Sequence, residues 1–490
     1  MRNLLLACVA SVAQPLAAQH FNVRNDFGAH EQSEIGWSLE RADTGFVVFQ
    51  FASNGVSIKL RIGLTLFDTA GALLGERSFG NDSASYNNGW MNSSDRTLGG
   101  GYVFCGALDS AQAIHDVVWR FSAARDSLWT ARIYTDSAWQ SIGYAAHALN
   151  DGSILAVGEV VPPGQLSQFF LAKLDAAGNV LWSQEYGGAA HDRCRNIAVA
   201  ADGSIYLGGE TFGSPGPDRD DYVIKTDPQG NVLWSDARGS ANDDGSAQVA
   251  ATLDNGVVYA TTYTEYMLGA SEYTRHCIRR LDANGQLLWD RKYGPIRFIN
   301  QLAGIKALPD SGFIACGTIM GLNYPHGTLL RIAANGDSIW QREYTHPSTD
   351  SLFIDWHELR DVIPADDGGF VACGVVFDGE QDLWVIRVDS FGCLVPGCQL
   401  WDNVAEMEEP FHVLLYPNPV NDRLFISFRA KAAPTGLFSI LDNSGAVVRT
   451  FAPQSSAMEI DLDVRDLANG MYVLLYQDKD SAWSSRFIKQ

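Results

Sequence analysis

The chain is short of positive charge. Lys and Arg number 35 against 57 Asp and Glu, a net charge of −22 over 490 residues. An acidic exterior of that size repels phosphate backbones, so no nucleic acid partner is expected, and it keeps an exported protein in solution. Nothing after the first twenty residues approaches the roughly eighteen consecutive apolar residues that a membrane-spanning helix needs, so no transmembrane segment is expected. Helical periodicity is also missing, which excludes a helical solenoid. There is no nucleophile elbow, no phosphate-binding Gly loop, no HExxH helix and no DxDxDG calcium loop. Cysteine is sparse, with 8 residues, none adjacent in the chain. No CxxC or His pair has metal-ligand spacing, and neither a metal site nor a cofactor is expected.

What is present begins with "MRNLLLACVASVAQPLAAQ": Arg2, an apolar run from Leu4 to Ala13, a breaker at Pro15, then Ala17 and Ala18. This order predicts a secretory signal over 1–18. The competing lipobox, ending at Cys8, leaves only seven residues ahead of the cysteine.

From there the chain repeats. A turn followed by a short apolar strand occurs as "DTGFVVFQ", "GGGYVFCG", "DGSILAVG", "DGSIYLGG", "DNGVVYAT", "DSGFIACG" and "DGGFVACG", aligned on positions 45, 101, 153, 204, 256, 312 and 369. Between these lie "LDAAGNVLW" and its echoes "TDPQGNVLW", "LDANGQLLW" and "IAANGDSIW", with weaker copies "FDTAGALLG", "SAARDSLW" and "VDSFGCLVP". Gly in the turn supplies positive φ, and the flanking runs are β-branched and aromatic, so each copy reads as a hairpin. Adding the segment before each first signature gives four strands, a to d, per unit. Four antiparallel strands repeating about every fifty residues predict a β-propeller blade, and seven copies predict a seven-bladed ring over 19–400.

The last unit lacks a strand d, because "CLVPGC" breaks it with Pro396. The mature start, "FNVRNDFG", carries the aromatic-Gly ending of strand d. Residues 21–28 are therefore expected to pair beside the strand containing Trp384 and close the ring.

Cys105, Cys316 and Cys373 share one repeat position and read as buried thiols, while Cys194 and Cys277 are unassigned. Cys393 and Cys398, with Pro and Gly between them in an exported chain, are expected to form a disulfide. Trp182, Trp234, Trp289 and Trp340 share a position in strand d and are expected to pack blade on blade. These elements resemble the tryptophan-bearing blade repeats of quinoprotein dehydrogenases, in the blade framework alone. That family implies eight blades, a pyrroloquinoline cofactor, calcium ligands and a disulfide of adjacent cysteines. This chain counts seven blades and has no Cys-Cys pair. Sialidase, kelch and WD40 signatures are absent.

In propellers the d-to-a and b-to-c connections meet on one face, which carries most binding and catalysis. The corresponding segments are "GGAAHDRCR" with His191, Asp192, Arg193 and Arg195; "GSPGPDRDD" with Asp218, Arg219, Asp220 and Asp221; "YTEYMLGASEY" with Tyr263; and "THPSTDSLFIDWHEL" with Asp355, Trp356 and His357. Aromatic platforms beside carboxylates and guanidiniums suit a glycan or protein ligand, as they also suit a solvated loop surface. The acidic turns "DRDD" and "NDDG" are turn formers before they are calcium ligands.

After an acidic linker, 401–412, "LLYPNPVNDRLFISF" ends the repeat. Pro417 and Pro419 remove two backbone donors, so Tyr416 to Pro419 cannot continue a ladder. Beyond it, strands between turn residues predict a small Ig-like β-sandwich over 413–490. "YPNPVNDRLFI", "SILDNSGAVVRTF" and "IDLDVRDLANGMYVLLY", with the terminal "RFIKQ", resemble the type A C-terminal sorting domain of the type IX secretion system of Bacteroidota. In the resemblance Tyr416, Pro417, Asn418, Pro419, Gly470 and Tyr472 carry the motif. It implies handling by the type IX machinery and a final location outside the cell or on its outer surface. The whole reads as an all-β, exported binding or structural module. The rival reading is an extracellular polysaccharide hydrolase or lyase, whose paired acids would come from different blades.

Overall fold

The computed structural model describes residues 20–490 apart from 28–33, 53–58, 88, 90, 111–112, 136–138, 214–217, 270, 322–323, 348–355, 378–380, 396–397, 399–412, 429–436, 443–445, 453–458 and 478–481. The expected signal over 1–18 and linker over 401–412 lie outside the described residues. The chain divides into two compact units, Met1–Pro396 and Gly397–Gln490. Neither contains an α-helix among the described residues.

The first unit is a succession of antiparallel sheets whose strand order follows the chain, as in Gln140–Ala148, Ile154–Val161, Gln168–Leu174 and Val180–Tyr186. Seven such sheets occur among the described residues. Their first strands are Gly36–Ala42, Ser94–Arg96, Gln140–Ala148, Asp192–Val199, Gln248–Ala251, Gln301–Ala307 and Trp356–Pro364. Each touches the first strand of the next sheet, and the seventh touches the first. That cyclic packing of inner strands is the topology of a β-propeller. The second sheet departs from four strands: Ser85–Asn87 and Ser94–Arg96 both pair with Tyr102–Asp109. Between them Gly89 takes φ 55°, where a Cβ would lie 2.3 Å from the Cys105 carbonyl.

The second repeated signature has a physical reading at every position. Its Asp caps the turn: Asp282 Oδ1 accepts the N–H groups of Asn284 and Gln286, both at 2.8 Å, and Asp175 does the same for Ala177 and Asn179 at 2.9 Å. Its Gly has positive φ, 83° at Gly285 and 89° at Gly178. Its Trp lies on the turn of the next sheet. Trp129, Trp234, Trp289 and Trp340 donate their indole N–H to Ala176, Ala283, Ala334 and Ser390 carbonyls at 3.1, 3.1, 3.3 and 3.1 Å. Only glycine leaves room beneath these rings, since a Cβ on Gly285 would sit 3.0 Å from Trp234. The aromatic that ends strand d adds a second tie: Tyr186, Tyr293 and Tyr344 hydroxyls donate to Gly230, Gly336 and Gly392 carbonyls at 2.7, 2.6 and 2.7 Å.

One junction inverts the arrangement. The first sheet has Gly75 where others have Trp, and the turn it faces has Arg125, at φ 66°, where others have Gly. Arg125 Nη1 donates to the Gly75 carbonyl at 3.0 Å. The guanidinium fills the space that an indole occupies elsewhere.

The chain's start supplies the missing strand. Phe21–Asn25 pairs antiparallel with Gln381–Val388, with Phe21 opposite Arg387 and Arg24 opposite Trp384. Trp384 Nε1 donates to Asn22 Oδ1 at 2.7 Å. Phe21 then plays the part of the strand-d tryptophan: a Cβ on Gly71, in the turn of the first sheet, would lie 2.6 Å from its ring. Residue 28 lies outside the described residues. Cys393 and Cys398 are disulfide-bonded. Cys105, Cys194, Cys277, Cys316 and Cys373 are buried free thiols.

The second unit has two sheets, Val413–Tyr416, Arg423–Phe428 and Glu459–Asp463 in one, and Leu437–Leu441, Val447–Phe451, Gly470–Gln477 and Ala482–Lys489 in the other. Leu424 and Ile426 from one face Phe438, Leu474 and Phe487 from the other in a shared core. Tyr416 is still in the ladder, opposite Phe425, so the break falls at Pro417 rather than at Tyr416. The motif then clamps the terminal strand. Asn418 Nδ2 donates to the Arg486 carbonyl at 3.1 Å and its Oδ1 accepts Ile488 N–H at 2.9 Å. Tyr472 stacks on Phe487 and donates to the Ala468 carbonyl at 2.8 Å.

Candidate functional site

The residues assigned to connecting loops mostly lie in strands. Asp192 pairs with Thr211, which pairs with Asp220, so both acids sit at the same end of the fourth sheet as the first residues of strands. Pairing outlasts the apolar run because the ladder needs backbone groups, not hydrophobic side chains. Both acids are enclosed, at 2% and 1% exposure. Asp192 Oδ2 accepts Gly188 N–H at 2.8 Å and so shapes the loop before it. Arg219 Nε donates to the Asp244 carbonyl at 2.7 Å, and its own N–H bonds Asp243 Oδ1 at 2.9 Å. The acidic turns therefore cap backbone, and Asp221 is paired in the interior with Arg279, which also holds Asp290 at 2.9 Å. Asp218 is half-buried near the same end.

Tyr263 lies within the long strand Val257–Leu268, with the Lys292 ammonium 3.3 Å from its ring centre. His357 is wholly buried against Trp384, and its Nε2 contacts the His346 carbonyl at 3.2 Å, which makes it core. Trp356 donates to Glu358 Oε1 at 2.6 Å. Asp355 lies outside the described residues. The structure thus brings His191, Asp192, Arg193, Asp218, Arg219 and Asp220 to one end of one sheet, and sets Tyr263, Trp356 and His357 in other sheets.

A β-bulge organises the inner strands. Register shifts between Gly36 and Ser38, Gly143 and Ala145, Cys194 and Asn196, Leu302 and Gly304, and Leu359 and Asp361 leave Trp37, Tyr144, Arg195, Ala303 and Arg360 as the extra residues. A bulge re-aims its side chain. Adjacent bulges stack: Arg195 lies 4.4 Å over the Tyr144 ring and Arg360 lies 4.1 Å over Trp37.

Around the first pair a closed polar circuit forms. Tyr144 donates to Glu159 Oε1 at 3.0 Å, Arg193 Nε meets Glu159 Oε2 at 3.0 Å, and Arg193 and Arg195 meet Glu210 Oε1 at 3.5 and 2.8 Å. Ser246 donates to the other Glu210 oxygen. Burial works to raise the Glu210 carboxyl; Arg195, Ser246 and Arg219 outweigh it and hold the group below its usual range. Burial pushes the Tyr144 hydroxyl up, so it stays a donor. On the rim, Arg193 lies 5.3 Å over Phe212, against which exposed His191 sets its ring edge. Sequence reasoning missed Tyr144, Glu159 and Glu210: Tyr144 is the extra residue of a bulge, and the glutamates lie in the neighbouring strands opposite Ile142 and Arg193, with no local motif to mark them.

A second cluster joins other inner strands. Lys306 Nζ stands 3.7 Å from Asp361 Oδ1 and bonds Asn92, Ser94 donates to Glu40 Oε1 at 3.2 Å, and His147 Nδ1 meets Asp95 Oδ2 at 2.8 Å. Desolvation, then the charge of Asp95, raises the Glu40 carboxyl well above the usual range, and desolvation likewise raises Asp361. A cavity of about 200 Å³ lined by Thr252, Asp254, Arg280 and Phe313 lies at the opposite end of the sheets, by the a-to-b turns, away from either cluster.

Residues 414–490 match the family described as a secretion system C-terminal sorting domain. That domain directs export by type IX secretion to the cell surface or the extracellular space. No curated protein matches the sequence. Among solved structures, the chain is similar to the polysaccharide lyase Uly1 (10% identity, TM-score 0.43, covering 75% of this chain and 91% of that one). It is similar too to YCF48 bound to D1 peptide (11%, 0.41, 76% and 96%). An acylaminoacyl peptidase of Pyrococcus horikoshii is similar at 10% identity and TM-score 0.38 over 83% of this chain; the match spans 58% of the peptidase.

Proposed function

We propose that the seven sheets are the blades of one closed ring, residues 19–400, which is an exported binding module. Residues 413–490, an Ig-like sandwich, are its address to the type IX machinery, and 401–412 join the two. The ligand is a glycan or a protein segment that rests on the His191, Arg193 and Phe212 rim. The observation that carries this reading is the circuit from Tyr144 through Glu159, Arg193 and Glu210 to Arg195. Its carboxylates are bonded by guanidiniums and hydroxyls, so it is a rigid recognition surface rather than a poised acid and base.

One observation favours cleavage of polysaccharide as a second reading: the Glu40 carboxyl, raised well above the usual carboxylate range by burial and then by Asp95, sits in the environment of a general acid. A screen of the full chain against glycans and peptides, with product formation followed in parallel, separates the two. Binding without cleavage, weakened about tenfold by Arg193→Ala, is expected. Cleavage that disappears in Glu40→Gln would replace the binding module by a hydrolase or lyase.

A further inference from the structure

The closing strand ends among acids. Asp26 follows Phe21–Asn25, Glu34 precedes the first sheet, and Asp382 lies in the strand Gln381–Val388 with which the start of the chain pairs. One oxygen of each lies within 4.8 Å of the others. Glu34 is wholly buried, and neither carboxylate oxygen has a hydrogen-bond partner. Its own N–H bonds the Gln381 carbonyl at 2.8 Å, which fixes it beside Asp382. A buried carboxylate without a well-formed hydrogen bond is costly unless a cation meets it. Burial, then the charge of Asp26, pushes Glu34 up to about 8, with the Phe27 backbone acting the other way. Arg24 pairs with Asp382.

We propose that Asp26, Glu34 and Asp382 bind a divalent calcium ion that staples the closing N-terminal strand to the last and first sheets. The donors are all carboxylate oxygens, without imidazole or thiolate, which selects a hard cation. Calcium accepts carboxylates in an irregular, flexible arrangement, whereas magnesium demands near-ideal octahedral geometry and keeps most of its waters. Asp26 and Glu34 lie eight positions apart, but Asp382 comes from the last sheet of the first unit, so no local motif announces the set. The remaining coordination sites would be filled by water, so calcium binding of moderate strength is expected.

The test uses the full chain stripped with a chelator and titrated with calcium chloride, read by calorimetry and by the thermal unfolding midpoint. One bound calcium and a rise of about 5 °C at roughly a hundredfold excess over the dissociation constant are expected. Glu34→Gln should abolish the rise and, in chelator above pH 8, unfold at a higher temperature than the unaltered chain, because there it removes a buried ionised carboxylate. Asp26→Asn, at an exposed position that folding tolerates, should weaken binding at least tenfold. No calcium heat in the unaltered chain, an equal midpoint rise in Glu34→Gln, or an equal response to magnesium would each overturn the assignment.

Discussion

The two ends of the sheets are held together differently. At the a-to-b and c-to-d turn end, neighbouring sheets dock through a repeated neutral device, an indole on a glycine turn with one N–H bond. At the other end three junctions each have a polar solution of their own: Arg195 with Glu210 at one, Arg279 with Asp221 at another, and the neutral His276 ring bonded to the Thr318 carbonyl at a third. A repeated neutral contact supports a ring at any pH and salt. An unrepeated polar contact distinguishes one sector of the circuit from the next.

The largest effect expected from breaking the contrast is at the charged end. Arg195→Ala should cost about 3–5 kcal/mol in unfolding experiments, because it leaves buried Glu210 with Arg193, at 3.5 Å, in place of its closest guanidinium. The double variant Arg195→Ala with Glu210→Ala should recover part of the loss, and simple additivity of the two would count against a coupled circuit. Next comes acid. Burial depresses His276 to about 4 from 6.5, with the neighbouring Arg275 adding to it and the Thr318 carbonyl opposing it. Since the folded chain holds His276 neutral, stability is full above pH 6.5 and declines by about 3 kcal/mol as pH falls toward 4. His276→Gln should flatten that part of the stability profile. The smallest effect is at the neutral end: Gly285→Ala places a Cβ at positive φ against Trp234 and should cost about 2 kcal/mol. Arg125→Gly, at the inverted junction, should cost less than about 1 kcal/mol, because no indole bears on that turn. Equal losses at the two turns would erase the distinction between them.

The turn end was legible in the sequence because its parts are local. Asp282, Gly285 and Trp289 lie within one hairpin, and their spacing is dictated by the bonds Asp282 makes to Asn284 and Gln286. The N-terminal strand was legible for the same reason, through the aromatic-Gly ending that strand d carries elsewhere. The charged end was legible only in composition. His191, Asp192, Arg193 and Asp220 were found in the right region but set in loops, since an apolar pattern stops before the ladder does. Tyr144, Glu159 and Glu210 were invisible, because a bulge is a disagreement between two strands and one strand cannot show it. His357 had the residue type of a ligand contact and the place of a core residue, which only its packing on Trp384 reveals.

By itself, the sequence determined the strands, the turns, the number of repeats, the break at Pro417 and the address carried by the last residues, all of which follow from backbone preferences and spacing within a few positions. Tertiary structure alone decided which side chains meet. The partners of Arg193 and Arg195, the stacking of Arg360 on Trp37, and the meeting of Asp26, Glu34 and Asp382 depend on how the inner strands curve into a circuit and how the chain's start returns to its seventh sheet. Electrostatic contacts act through space over a few ångströms, and closing the circuit brings residues that are hundreds of positions apart into that range.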